Sequence, residues 1–248
     1  MTTRFFQWSV LCLFVVVSGE LGFAPPDSKA SESAQPRRAD RPGPERKAKS
    51  DSKPAEEAKT YQVDTDASRI YVKVGIATRL GHPHGVEGKL KSGKITLGAE
   101  GELVFDMTSF KADTQEARKK VGLERKKVTE NEAKKVNQTM RSAAVLDVEK
   151  YPTATYKIST IKPAEKQAAG TPGSYQVNGR FTLHGTEQPL QFKAKLERTD
   201  KEGILKLSGK FVIKQTDYGM KPYSAAGGLA KSSDELEIHG ELLLSPAK

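Results

Sequence analysis

The sequence predicts an all-β protein in which about eight antiparallel strands close on themselves as a barrel, with one helical insertion between strands three and four. Three observations carry this reading. From Tyr61 onward apolar and polar residues alternate with a period of two, the pattern of half-buried antiparallel strands. Several runs exceed the common strand length and place glycine on the apolar face, where it relieves crowding in a curled sheet. One stretch, Thr129–Leu146, has helical spacing instead.

The chain begins with material that fits no barrel. Met1–Ala24 places Arg4 ahead of an apolar run from Phe5 to Val17, followed by Ser18, Gly19, Gly22 and Ala24. That is the layout of a secretory signal peptide, and the run is short for a membrane span. Export to a periplasmic or secreted location is therefore expected, with retention as an uncleaved signal anchor as the alternative. Cys12 follows Leu11 rather than a small residue and lies too early for a lipoprotein site. It is the only cysteine, so a processed protein has no disulfide, no cysteine-based zinc site and no thiol chemistry. Pro25–Lys59 has no aromatic, Val, Ile or Leu, and carries nine basic and seven acidic residues. It cannot bury enough apolar surface to fold alone and reads as a disordered linker. This leaves residues 60–248 as the barrel domain.

The strands follow in order near 68–79, 84–92, 100–107, 153–162, 174–184, 189–199, 203–215 and 234–245. In the first, Ile70, Val72, Val74 and Ile76 oppose Tyr71, Lys73 and Gly75. In the third, Leu103 and Phe105 share a face. Ala154, Tyr156, Ile158 and Thr160 form the apolar face of the fourth, and Tyr175, Val177, Gly179, Phe181 and Leu183 that of the fifth. The fifth and sixth strands join at the turn in Phe181–Phe192, after which Leu190, Phe192, Ala194 and Leu196 face inward. Leu205, Leu207, Gly209, Phe211 and Ile213 form the inner face of the seventh; Leu236, Ile238, Gly240, Leu242 and Leu244 form that of the eighth. Between strands three and four, Glu116–Val128 is dense in Arg and Lys, which reads as a solvated segment or as a surface for an anionic headgroup. The helix that follows opens on Thr129 and Glu132, a capping box. Its Ala133, Val136 and Met140 stripe covers either the core or a barrel mouth.

Four motifs in order resemble the YceI-like family of exported polyisoprenoid-binding proteins. They are Tyr61-Gln62-Val63-Asp64 with Ser68, Tyr151-Pro152-Thr153-Ala154-Thr155-Tyr156, Leu183-His184-Gly185-Thr186, and Thr216-Asp217-Tyr218-Gly219-Met220. The resemblance spans roughly Thr60 to Leu244. It implies an extended, lipocalin-like antiparallel barrel whose elongated apolar cavity holds a long isoprenoid or other fatty amphiphile, without catalysis. The chain departs from the family where relatives carry an Arg-Asp pair and an aromatic-rich segment before the Tyr-Pro motif: here stand Arg118-Lys119-Lys120 and Met140–Val148. Gly81-His82-Pro83-His84-Gly85 is similar to a Gly-His-Asp-His variant, with Pro83 in place of the aspartate.

The residues expected to touch a ligand are Ile76, Phe105, Met140, Tyr156, Phe181, Phe192, Phe211 and Met220, which supply apolar area with adaptable methionine among them. The same residues would serve a filled core, and the chain would then be an envelope interaction module. His82 and His84 are weak metal candidates: imidazole suits zinc or copper, but Pro83 between glycines marks a turn and further ligands are not apparent. His184 and the Asp217–Gly219 segment read as turn chemistry. No Gly-x-Ser-x-Gly elbow and no phosphate-cradling glycine loop occur, so no catalytic residue and no cofactor are assigned. The net charge of +10 favours anionic partners such as lipid surfaces. Nucleic acid is not among the expected partners, because the linker charges are mixed and the chain carries an export leader. The oligomeric state is left open, a dimer included.

Overall fold

The computed structural model describes residues 59–247 apart from Lys126 and Gln167. The expected signal peptide and nearly all of the expected linker lie outside the described residues. Ten strands are present: β1 (Thr60–Val63), β2 (Arg69–Ile76), β3 (His84–Thr96), β4 (Gly101–Ala112), β5 (Thr153–Pro163), β6 (Gly173–Leu183), β7 (Thr186–Arg198), β8 (Leu205–Lys214), β9 (Ser224–Ala225) and β10 (Ala230–Pro246). Two helices, α1 (Gln115–Lys120) and α2 (Glu130–Arg141), lie between β4 and β5. Among the described residues no helix is long and apolar enough to cross a membrane.

Eight strands form a closed antiparallel barrel. Each of β2 to β8 pairs with the next, and β10 closes the ring by pairing with both β8 and β2. Closure leaves no free barrel edge on which another chain could add a strand. The short β1 extends the β2 position toward one end, pairing with β10 through Val63 and Leu244 and with β3 through Tyr61 and Ile95. The break between them is a local turn. The Asp64 carboxylate accepts from the Asp66 and Ala67 amides, and the buried Ser68 hydroxyl accepts from the Leu243 amide.

The predicted inner faces of β6, β7, β8 and β10 point into the barrel, and β1 and β9 are short strands beyond the eight expected; two other strands and the two helices show further differences. Tyr71, placed on the polar face of its strand, is buried against Ala117 and Val121 of the α1 segment, on the outer side of the wall. The basic stretch, read as a solvated segment, begins with the helix α1. In β5 a bulge between Ile158 and Thr160 shifts the alternation, so Ile161 rather than Thr160 is fully buried. The insertion helix stops at Arg141 rather than reaching Leu146, and its capping box from Thr129 to Glu132 is formed.

The two ends of the barrel differ. At the end held by β1, Ile95, Leu97, Ile161, Tyr175, Leu196 and Leu244 are fully buried and pack against one another. The opposite end carries the connections 77–83, 113–152 and 215–229 and the two-residue turn between β6 and β7. In that turn His184 and Gly185 both have positive φ, 51° and 75°, as the twist of a tight hairpin demands. Gln215–Gly219 forms a single 3-10 turn closed by Gly219 at φ 70°, with the Thr216 hydroxyl bonded to Asp234 at 2.8 Å.

Candidate functional site: an apolar cavity open at one end

The barrel is hollow beyond its packed end. A cavity of about 500 Å³ lies between β2 to β8, β10 and the inner face of α2. That volume falls within the range of small-molecule sites. All eight residues expected to contact a ligand stand on its wall: Ile76, Phe105, Met140, Tyr156, Phe181, Phe192, Phe211 and Met220. None of the six fully buried residues named at the closed end belongs to the wall, although the fully buried Val177 does.

Aromatic rings make much of the surface. Phe192 stacks on Phe211 with centroids 4.5 Å apart, and Phe181 meets Phe105 edge-on at 5.9 Å. The first arrangement depends on Gly209, where a Cβ would come within 2.9 Å of Phe192. Tyr156 sits between Phe181 and Phe192. Its hydroxyl donates to the Leu190 carbonyl at 3.0 Å, so the polar tip is satisfied inside an apolar wall. Burial, with a smaller effect from Tyr218, raises the Tyr156 pKa well above the usual phenol value, which keeps it neutral. Burial likewise pushes Tyr218 up to about 12.

Charged and imidazole groups lie only at the open end of the wall. Glu132 and Lys135 come from α2, Lys231 from β10, and His82 and His84 from the segment before and at the start of β3. The Glu132 carboxylate closes the capping box, accepting from the Thr129 amide at 2.9 Å. Val136 and Met140 of α2 face the cavity, while no residue of α2 is fully buried. The helix is therefore placed over the mouth rather than in the core. Arg141 fixes its end by donating to the Phe110 carbonyl at 2.9 Å, and the Asn137 side chain bridges the Ala112 backbone.

The two candidate metal ligands have rings 4.5 Å apart. His84 Nδ1, however, shares a 2.6 Å hydrogen bond with Asp113 Oδ2. Asp113 is fully enclosed and also accepts from Arg118 Nη1 at 2.7 Å and from the Gly85 amide at 3.3 Å. Burial pushes the Asp113 carboxyl up, but the bonds from His84, Arg118 and Gly85 outweigh it and leave its pKa below the ordinary aspartate value. Among the described residues no three His, Cys, Asp or Glu side chains are grouped to hold a metal. Arg118 is only 6% exposed, which corrects its reading as part of a solvated charge run. The backbone of α1 reaches it because residue 85 is glycine, where a Cβ would lie 3.0 Å from the Ala117 and Arg118 backbone.

Other wall residues were not among the expected ligand contacts. Val72, Val74, Leu190 and Leu236 were placed on inner faces by the same alternation that marked the strand candidates. Leu80 and Tyr223 lie in connections, where no periodicity marks them.

The YceI-like domain family model matches residues 61–243. A UPF0312 protein of Pseudomonas aeruginosa (strain LESB58) is 29% identical over 143 residues, 56% of this chain. The chain spans 66% of that relative's length. Among solved structures, the chain is similar to a polyisoprenoid-binding domain from Saccharophagus degradans implicated in plant cell wall breakdown. The TM-score is 0.54 at 17% identity, over 75% of this chain and 98% of that one, which is a likeness of fold. With the motif order, the closed barrel and a family match across nearly the whole described domain, the chain belongs to the YceI-like domain family.

Proposed function

We propose that the protein is a non-catalytic, exported carrier that holds the tail of an isoprenoid or another long amphiphile inside the barrel, with the polar head at the open end. The observation that carries this reading is the polarity gradient of the cavity. The interior wall is aliphatic and aromatic, and its charged groups are confined to the mouth. A methylene occupies about as much room as a liquid water, roughly 30 Å³, so the cavity takes a chain of the order of fifteen carbons or more. Each buried methylene contributes about 0.8 kcal/mol, enough for tight retention without any specific polar contact. The titratable group deepest in the wall, Tyr156, is already bonded to the backbone, which supports a role in holding rather than in reaction. Export is supported by the leader composition, Arg4 followed by Phe5 to Val17. The hollow interior favours this reading over an interaction module with a filled core.

Native mass spectrometry of protein purified from its own host should show adducts of several hundred daltons. Gly240→Leu supplies the control. Gly240 lies on the wall, and a Cβ there meets only the Ile70 Cδ1 atom at 3.5 Å. A four-carbon leucine side chain should occupy about a quarter of the cavity, keep the barrel folded and weaken the adduct, most strongly for the longest chains. Wild-type protein that stays free of adducts and takes up no added prenyl or fatty lipid would end the carrier reading.

A further inference from the structure

We propose that the open end of the barrel is a docking face for an anionic lipid bilayer. Five large hydrophobic residues are exposed among the described residues, and four of them, Ile76, Leu80, Tyr223 and Leu229, lie on the two segments that border the mouth. Only Val212 lies elsewhere, on the outer side of β8. Leu80 and Leu229 are 54% and 62% exposed.

The two segments are built as one unit. The Ala77 amide donates to the Lys231 carbonyl at 2.9 Å, and the Lys231 amide donates to Thr78 Oγ1 at 3.0 Å. Leu80 forms a bridge with Ala230, and β9 pairs Ser224 and Ala225 with β10. The Ser232 amide donates to the Tyr223 carbonyl at 2.9 Å. Apolar tips are thus presented from a hydrogen-bonded platform.

The two segments carry cations in excess, with Asp217 and Asp234 at their flanks and Asp234 engaged by Thr216. Residues 75–86 and 218–233 contain Arg79, Lys221 and Lys231 and no Asp or Glu, and all three cations are exposed. Across the mouth, α2 adds Lys134 and Lys135 beside Glu130 and Glu132, with the Glu132 carboxylate turned to Thr129. Apolar side chains beside Arg79, Lys221 and Lys231 match the boundary between acyl chains and anionic headgroups. Leu80 and Tyr223 also line the cavity, so a docked barrel would open its cavity directly onto the bilayer and a tail could enter without crossing water. The docking geometry stands apart from the identity of the cavity's ligand.

The test uses the full chain with Cys12→Ser and a single introduced cysteine, Leu229→Cys or Val212→Cys, labelled with an environment-sensitive fluorophore. Vesicles are phosphatidylcholine alone or mixed with phosphatidylglycerol. The label at 229 should shift to the blue on the mixed vesicles, weaken on phosphatidylcholine alone and reverse with salt, while the label at 212 stays unchanged. Lys221→Ala and Lys231→Ala should each weaken the 229 response by about five-fold. No shift at 229, an equal shift at 212, or insensitivity to both lysines overturns the proposal. Lipid uptake in vesicle-free solution separates the two readings. Uptake with a label at residue 229 that stays in water on vesicles sinks docking alone, and docking without uptake sinks the carrier reading alone.

Discussion

Tyr151 lies against His184 with ring centroids 4.4 Å apart, joining the Tyr-Pro segment to the β6–β7 hairpin turn. Two sequence motifs that are far apart in the chain are therefore one packing unit at the open end. The same tyrosine crowds Gly185, where a Cβ would sit 2.7 Å from Tyr151 Cε1 in a backbone with φ 75°. Gly185→Ala should cost about 2 kcal/mol, from left-handed backbone strain together with the clash. In a Tyr151→Leu background the cost should shrink, because only the backbone part remains. Urea unfolding of the four proteins of this cycle measures both terms, and additive effects would contradict the packing unit.

Asp113 ties the mouth of the barrel to α1 and should make the protein sensitive to acid. Its native pKa is depressed, so its contribution is present above the ordinary aspartate value near pH 4 and is lost as pH falls through the native value. The urea midpoint of wild type should therefore drop below about pH 4 more steeply than that of Asp113→Asn, and the two curves should converge in strong acid. Asp113→Ala at neutral pH leaves Arg118 buried without its counter-charge and should cost about 3–5 kcal/mol. Parallel curves for wild type and Asp113→Asn would show that the carboxylate is not a stability determinant.

The α2 helix should behave as a lid that opens without unfolding the barrel. None of its residues is fully buried, and its hold on the wall is Val136, Met140 and the bonds from Asn137 and Arg141. Hydrogen exchange should be faster in α2 than in β5 to β8. Thr129→Ala removes the cap and should speed α2 exchange by about five-fold, a loss near 1 kcal/mol, with barrel amides unchanged. An equal acceleration throughout the protein would instead mean that α2 folds with the barrel as one unit.

Much of the barrel was legible from alternation, because a period of two reports which side of a strand is apolar. The inner faces from Tyr175 to Leu183 and from Leu205 to Ile213 are examples. The method fails where a local event shifts the phase, as the bulge before Thr160 does, or where a second layer covers the outer side, as α1 covers Tyr71. Arg118 was misread for a related reason. Its charge is typical of solvated segments, and its burial depends on Asp113 and Gly85 arriving from other parts of the chain.

By itself, the sequence determined the eight barrel strands, most of their apolar faces, the capped start of α2 and the motif order that places the chain among YceI-like proteins. Only the tertiary structure decided that the barrel is packed at the β1 end and hollow at the other. Phe192 and Leu196 lie on the same face of β7, yet Phe192 lines the cavity while Leu196 is fully enclosed. Alternation gives the direction of a side chain but not the distance to the wall it faces. That distance is set by strands, bulges and glycines brought together from the whole domain, and it separates a core from a cavity.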